Sequence, residues 1–164
     1  MSFQNMIEAH ARNLVRQAIE KGLTVATAES LTAGLTAASI ADIPGASAVL
    51  RGGAVTYCDE IKHKVLSVSE QTLREHTAVS AETACEMAHG ARQVFESDIA
   101  VSLTGYAGPD GGGLDKPAGT VYIGVSDKTG TECTRCQFEG SRNEVRIQAA
   151  NKALEMLLER VNRL

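Results

Sequence analysis

TVATAESLTAGL, residues 24 to 35, changes period halfway along. Its first part sets Val25, Ala26 and Ala28 among threonines and reads as a strand of about Leu23 to Ala28. Its second part, with Leu31, Ala33, Leu35, Ala37 and Ala38, reads as a helix of about Leu31 to Ala41, stopped by Ile43-Pro44-Gly45. A strand that runs straight into a helix is the building unit of an α/β fold. Ser30 at the seam has two readings. It suits a helix N-cap, accepting a bond from a first-turn N–H. It equally suits a nucleophile, because the orphan amides of Thr32, Ala33 and Gly34 at a helix start would favour an oxyanion.

The same reading extends outward. Met6, Ile7, Ala11, Leu14, Val15, Ala18 and Ile19 recur at helical spacing up to Lys21-Gly22. Ala48 to Tyr57 reads as one or two short strands with a bend at Gly52-Gly53, and Asp59 to Leu66 as a short helix. Ser69 starts another small turn of helix, and Ser80 caps a long one carrying Ala84, Met87, Ala88, Ala91, Val94 and Phe95. Ile99 to Thr104 is an apolar strand. Thr120 to Ser126 and Cys133 to Phe138 form a hairpin, and Ser141-Arg142-Asn143-Glu144 is a capping box before the last helix. Strands and helices alternate and then give way to a hairpin. The expected fold is α/β, a three-layer α/β/α sandwich with a mixed, mostly parallel sheet, as a single domain over residues 1–164.

Bulk composition supports this and excludes some functions. The chain has 164 residues, 43% hydrophobic and 22% charged, enough for a packed core. Three Phe, three Tyr and no Trp make that core aliphatic. A net charge of −4, with no basic run, points away from nucleic acid. No apolar stretch approaches ~20 residues, so no membrane span is expected. The N-terminus lacks the apolar run of a signal peptide, and a cytoplasmic location is the expectation. Cys133-Thr-Arg-Cys136 has no second ligand pair, and residues three apart on a strand face opposite ways, so the four cysteines read as structural thiols and no metal is expected.

Three features fall at strand ends, where open α/β sheets bind ligands. The first is Glu29-Ser30. The second is Tyr57-Cys58-Asp59-Glu60-Ile61-Lys62, in which one helical turn would return Lys62 toward the strand end. A desolvated lysine becomes a neutral amine able to take a serine proton, whereas no G-x-S-x-G elbow supports a histidine base; among the four histidines, His63 stands nearest the crevice. The third is Thr104 with the loop GYAGPDGGGLDKPAG, too long for a plain turn and matching no phosphate-loop pattern. Gly105, Gly108, Gly111, Gly112 and Gly113 would let its backbone approach a ligand. Arg142, in the first turn of the last helix, suits a phosphate, and Arg146 one turn on would share its face. Each of these residues also has an ordinary reading as a cap, a surface charge or a turn.

Five stretches together resemble the C-terminal domain of the competence/damage-inducible protein CinA: TVATAESLTAGL, GGAVTYCDEIKHKVLSV, AVSAETACEMAHGAR, AVSLTGYAGPDGGGLDKPAGTVYIGV and GSRNEVRIQAA. Stand-alone members of that family include nicotinamide-nucleotide amidases. The resemblance implies hydrolysis of nicotinamide mononucleotide to nicotinic acid mononucleotide and ammonia, without cofactor or metal, by a homo-oligomer. It implies Ser30 as nucleophile, Lys62 as base, Tyr57 orienting it or sharing its proton, and Thr104 at the reacting centre. Thr32, Ala33, Gly34, Gly105, Ala107, Gly108 and Arg142 would then contact the small-molecule nucleotide substrate. Active amidases of this type usually read A-E-S-C-T-G-G, whereas here Leu31 and Ala33 replace the cysteine and the first glycine, and Tyr106 stands where isoleucine is common. A second reading is therefore a catalytically weak or inactive paralogue that keeps the pocket for nucleotide binding or regulation.

Overall fold

The computed structural model describes residues 2–164. Its elements in order are α1 (Phe3–Lys21), β1 (Val25–Glu29), α2 (Leu35–Ala41), a short 3-10 turn (Ala46–Ala48), β2 (Leu50–Val55), α3 (Asp59–Leu66), α4 (Glu70–His76), α5 (Ala81–Val94), β3 (Ile99–Gly105), β4 (Thr120–Asp127), β5 (Gly130–Gln137) and α6 (Arg142–Arg163). The strands form one sheet in the order β2-β1-β3-β4-β5. β1 pairs parallel with β2 and β3, whereas β4 is antiparallel to both β3 and β5. Four strands thus point one way and β4 alone is reversed, the mixed and mostly parallel sheet expected.

Period-two alternation sorts the strands into two unlike faces. Val25, Ile99, Val101 and Leu103 face a core built with α1, α2 and α6. Ala26, Ala28 and Ala100 face α3 and α5, packing with Leu66, Met87 and Ala91. Small side chains on the second face let α5 lie close to the sheet, and the Ser102 hydroxyl reaches the Ala84 carbonyl at 2.5 Å. At Gly90 the α5 backbone comes so near that an added Cβ would lie 1.9 Å from the Leu66 carbonyl oxygen at the end of α3. The sheet is therefore a middle layer, with α3 held tightly on the face that bears the crevice.

Two boundaries differ from the sequence reading by three residues or more. β5 starts at Gly130, because the two-residue turn Lys128-Thr129 carries the ladder three residues further than the apolar pattern does. α2 starts at Leu35, four residues later than expected, with Gly34 at its N-cap in the left-handed region (φ 97). The cause is Glu29. Buried at the end of β1, its carboxylate accepts the Gly34, Thr36 and Ala37 N–H groups at 3.1, 3.1 and 2.9 Å. A charge removed from water needs such partners, and the positive end of a helix supplies them. Ser30 therefore does not cap α2, and residues 30–34 form a separate turn closed by Ala33 N–H to the Ser30 carbonyl, 3.1 Å.

Candidate active site

β1 lies between β2 and β3; the connection from β1 to β2 carries α2 over one face of the sheet and that from β2 to β3 carries α3 and α5 over the other, so a crevice opens at the carboxyl ends of these strands. The ladder pairs Glu29 with Val55 on one side and Leu103 on the other. Ser30, Thr56 and Thr104 are the next residues, level at the three strand ends. By alternation their side chains fall on the α3/α5 face.

Lys62 reaches this row from α3. Cys58 is the N-cap of α3, and the first turn of the helix brings Lys62, its fourth residue, back over the strand end, as its distance from Tyr57 predicted. Its side chain is 1% exposed, and Nζ lies 3.2 Å from Ser30 Oγ and donates to the Thr56 carbonyl at 2.8 Å. Burial pushes the ammonium below its ordinary pKa, against smaller opposing pulls from Asp59 and Cys58. A buried amine in contact with a serine hydroxyl and without a carboxylate bonded to it is what general-base activation of that serine requires.

Ser30, Lys62, Thr104, Tyr57 and Arg142 line one open crevice of about 210 Å³, together with the start of the glycine loop from Gly105 to Gly108. Thr104 donates its hydroxyl proton to the Ala78 carbonyl at 2.6 Å, which leaves its oxygen as an acceptor toward the crevice. Tyr57 is 56% exposed at the mouth and bonds to Arg142, not to Lys62. Arg142 donates to Tyr57 Oη at 2.9 Å and to the Gly108 carbonyl at 2.8 Å, so it joins α6, the glycine loop and the end of β2. The group that orients Lys62 is instead the Thr56 carbonyl, which no side-chain pattern announces.

Other expected residues fall outside the crevice. Thr32, Ala33 and Gly34 do not line it; Thr32 is buried and Ala33 exposed with φ 48. Their amides are not equivalent, since those of Ala33 and Gly34 are spent on the Ser30 carbonyl and Glu29. Among the described residues the N–H groups of Leu31 and Thr32 have no protein acceptor, so the orphan donors are those two. Gly111, Gly112 and Gly113 belong to the distal part of the loop, which packs on itself: Gly112 lies under the Tyr106 ring and donates to the Lys116 carbonyl. Arg146, one turn on from Arg142, does not line the crevice; it bonds the Leu31 and Thr32 carbonyls. The capping box forms with both halves, and its Glu144 carboxylate already takes the Ser141 N–H. His63 bonds the Val68 carbonyl and stays outside the crevice.

Leu31, noted above in place of the usual cysteine, also lines the crevice, and Ala78, Val79 and Asp110, not singled out as site residues in the sequence, complete the lining. Cys133 and Cys136 face opposite sides of β5, Cys133 toward the cluster of Val79 and Tyr122 and Cys136 toward α6. Burial pushes the Cys133 thiol up to about 12, so it is inert as a nucleophile.

The model of the CinA C-terminal domain matches residues 7–161. A CinA-like protein of Geobacter sulfurreducens is 46% identical over 157 residues, which is 96% of this chain and 37% of that protein. A putative competence-damage inducible protein of Clostridium beijerinckii is 46% identical over 88% of this chain and 35% of its own length. The chain thus spans little more than a third of the curated relatives it matches. Solved structures agree at full length. The competence/damage inducible protein CihA from Agrobacterium tumefaciens has a TM-score of 0.92 at 39% identity, covering 96% of both chains. A CinA superfamily protein from Escherichia coli has a TM-score of 0.92 at 34% identity, covering 97% of this chain and 92% of its own. With the family model spanning nearly the whole chain, this protein belongs to the CinA C-terminal domain family.

Proposed function

We propose that this protein is an amidohydrolase that converts nicotinamide mononucleotide to nicotinic acid mononucleotide and ammonia, in pyridine nucleotide recycling. The observation that carries the reading is the buried Lys62 amine 3.2 Å from Ser30 Oγ. Neutral Lys62 accepts the Ser30 proton as Oγ adds to the carboxamide carbon. The tetrahedral intermediate collapses as its C–N bond breaks, and the leaving nitrogen takes that proton and departs as ammonia. Water then attacks the acyl ester with Lys62 as base, releasing the acid and restoring Ser30.

The crevice suits the substrate in size. At about 210 Å³ it exceeds the ~150 Å³ that holds a benzene ring, so a pyridine carboxamide fits while ribose and phosphate extend to the mouth. Arg142 stands there with donors beyond the two it uses, a seat for the phosphate. Thr104 faces the reacting centre as an acceptor for the carboxamide N–H₂.

One observation favours the second reading, a nucleotide-binding domain of reduced activity. Ala33 holds φ 48, a conformation that costs a side chain ~1 kcal/mol and that the more usual glycine adopts freely. The two readings separate in one assay. Purified protein with nicotinamide mononucleotide should release ammonia and nicotinic acid mononucleotide in equal amounts, and Ser30→Ala should release neither. Saturable nucleotide binding without product supports the second reading.

A further inference from the structure

The turn after Ser30 is clamped from two sides. Glu29 holds its far end from the sheet. From the opposite layer, Arg146 of α6 donates Nε to the Leu31 carbonyl at 2.8 Å and Nη2 to the Thr32 carbonyl at 3.1 Å. The side chain is half-buried and lines no part of the crevice. A planar guanidinium with two donors on neighbouring carbonyls fixes both peptide planes, which one ammonium does not do.

The fixed planes determine where the amides point. Both peptide units are trans, so each carbonyl and the N–H of the same unit point opposite ways. With the Leu31 oxygen on Arg146, the Thr32 N–H is directed away from α6. With the Thr32 oxygen there too, the Ala33 N–H is directed the same way, and it ends on the Ser30 carbonyl at 3.1 Å. That bond fixes the Ser30 peptide plane in turn, and with it the Leu31 N–H. Arg146 therefore sets the orientation of the two amides that no protein acceptor uses. Its charge also polarises the peptide units, which strengthens their N–H groups as donors.

We propose that Arg146 is a positioning residue of the hydrolytic site, fixing the turn so that the N–H of Leu31, the residue of that turn that lines the crevice, receives the oxyanion formed when Ser30 attacks. The proposal rests on the serine-hydrolase reading above. It assigns Arg146 to the transition state and not to substrate binding: without it, the unclamped turn samples other peptide orientations, and the substrate still meets an intact crevice.

The test compares wild type, Arg146→Met, Arg146→Lys and Arg146→Ala by turnover of nicotinamide mononucleotide, by labelling of Ser30 with a fluorophosphonate, and by thermal unfolding. Labelling builds an oxyanion on phosphorus at the same place and needs no carboxamide. Expected for Arg146→Met is a ~100-fold fall in kcat with KM changed less than about threefold, and a parallel fall in labelling rate. Arg146→Lys, which keeps one donor, should fall between the two, and added ethylguanidine should restore part of the rate to Arg146→Ala. A folded Arg146→Met with wild-type kcat and labelling overturns the inference while leaving the serine reading intact. A wild-type protein that neither turns over substrate nor takes the label overturns the serine reading, and the inference with it.

Discussion

Gly90→Ala should disable the site without touching it. Gly90 lies in the middle of α5, where helix propensity alone favours alanine by ~1 kcal/mol. Packing opposes the change, because the new Cβ would stand 1.9 Å from the Leu66 carbonyl oxygen and real Cβ contacts do not fall below 3.0 Å. The obstacle is backbone at the end of α3, so no rotamer change relieves it, and α3 must retreat from α5 by at least about 1 Å. Overpacking of this kind costs ~1–3 kcal/mol, which exceeds the propensity gain. Lys62 sits one turn earlier in the same helix, 3.2 Å from Ser30 Oγ. A displacement of ~1 Å there is worth ~100-fold in rate. Thermal unfolding and turnover of nicotinamide mononucleotide, measured on the same preparation, should therefore fall together. A variant as stable as wild type would refute the close α3–α5 contact. A destabilised variant with full kcat would refute the claim that this contact positions the lysine.

Three further outcomes follow from the same geometry. Lys62→Met should lose activity yet gain stability relative to wild type at neutral pH; the folded Lys62 pKa lies below the unfolded value, so the unfolded chain binds more protons between the two, and the gap should shrink as pH rises through that window toward 10.5, read by chemical denaturation. Asp127→Asn should cost ~2–3 kcal/mol at pH 7: burial works against the Asp127 carboxylate, but bonds from Thr129 and Arg160 outweigh it and hold the pKa at about 2, so the difference persists above 3.8 and disappears as pH falls through about 2. Ala33→Gly should raise stability by up to ~1 kcal/mol by relieving φ 48, and Leu31→Cys/Ala33→Gly should turn over faster than wild type if these two side chains restrain the turn; an unchanged rate would clear them.

The layers of the fold were legible because their cause is local. Ile99, Val101 and Leu103 alternate with Ala100 and Ser102, and the helices carry their apolar stripes and caps in sequence. Lys62 was legible for the same reason, since one helical turn after a strand end returns a side chain to that end. The start of α2 was not, because a residue outside the helix decides it. Glu29 reaches past its own strand to take three amides, and the turn from Ser30 to Gly34 exists to make room for that. A signal was present: Glu29 is the one charge in the strand VATAE, and a charge covered by a sheet needs donors. The Arg146–Thr32 bond and the Tyr57–Arg142 bond were out of reach, because they join residues 114 and 85 positions apart through tertiary packing. The lysine's Thr56 carbonyl partner is backbone and leaves no trace in residue type.

The central claim is a covalent intermediate on Ser30 formed by Lys62 acting as base. It is tested most directly by acid-quenching the protein during turnover of nicotinamide mononucleotide and weighing its peptides. The account predicts that the peptide containing Ser30 gains the mass of the substrate less ammonia, and that the adduct is absent from Ser30→Ala and from Lys62→Met. Continued release of nicotinic acid mononucleotide by Ser30→Ala would contradict it.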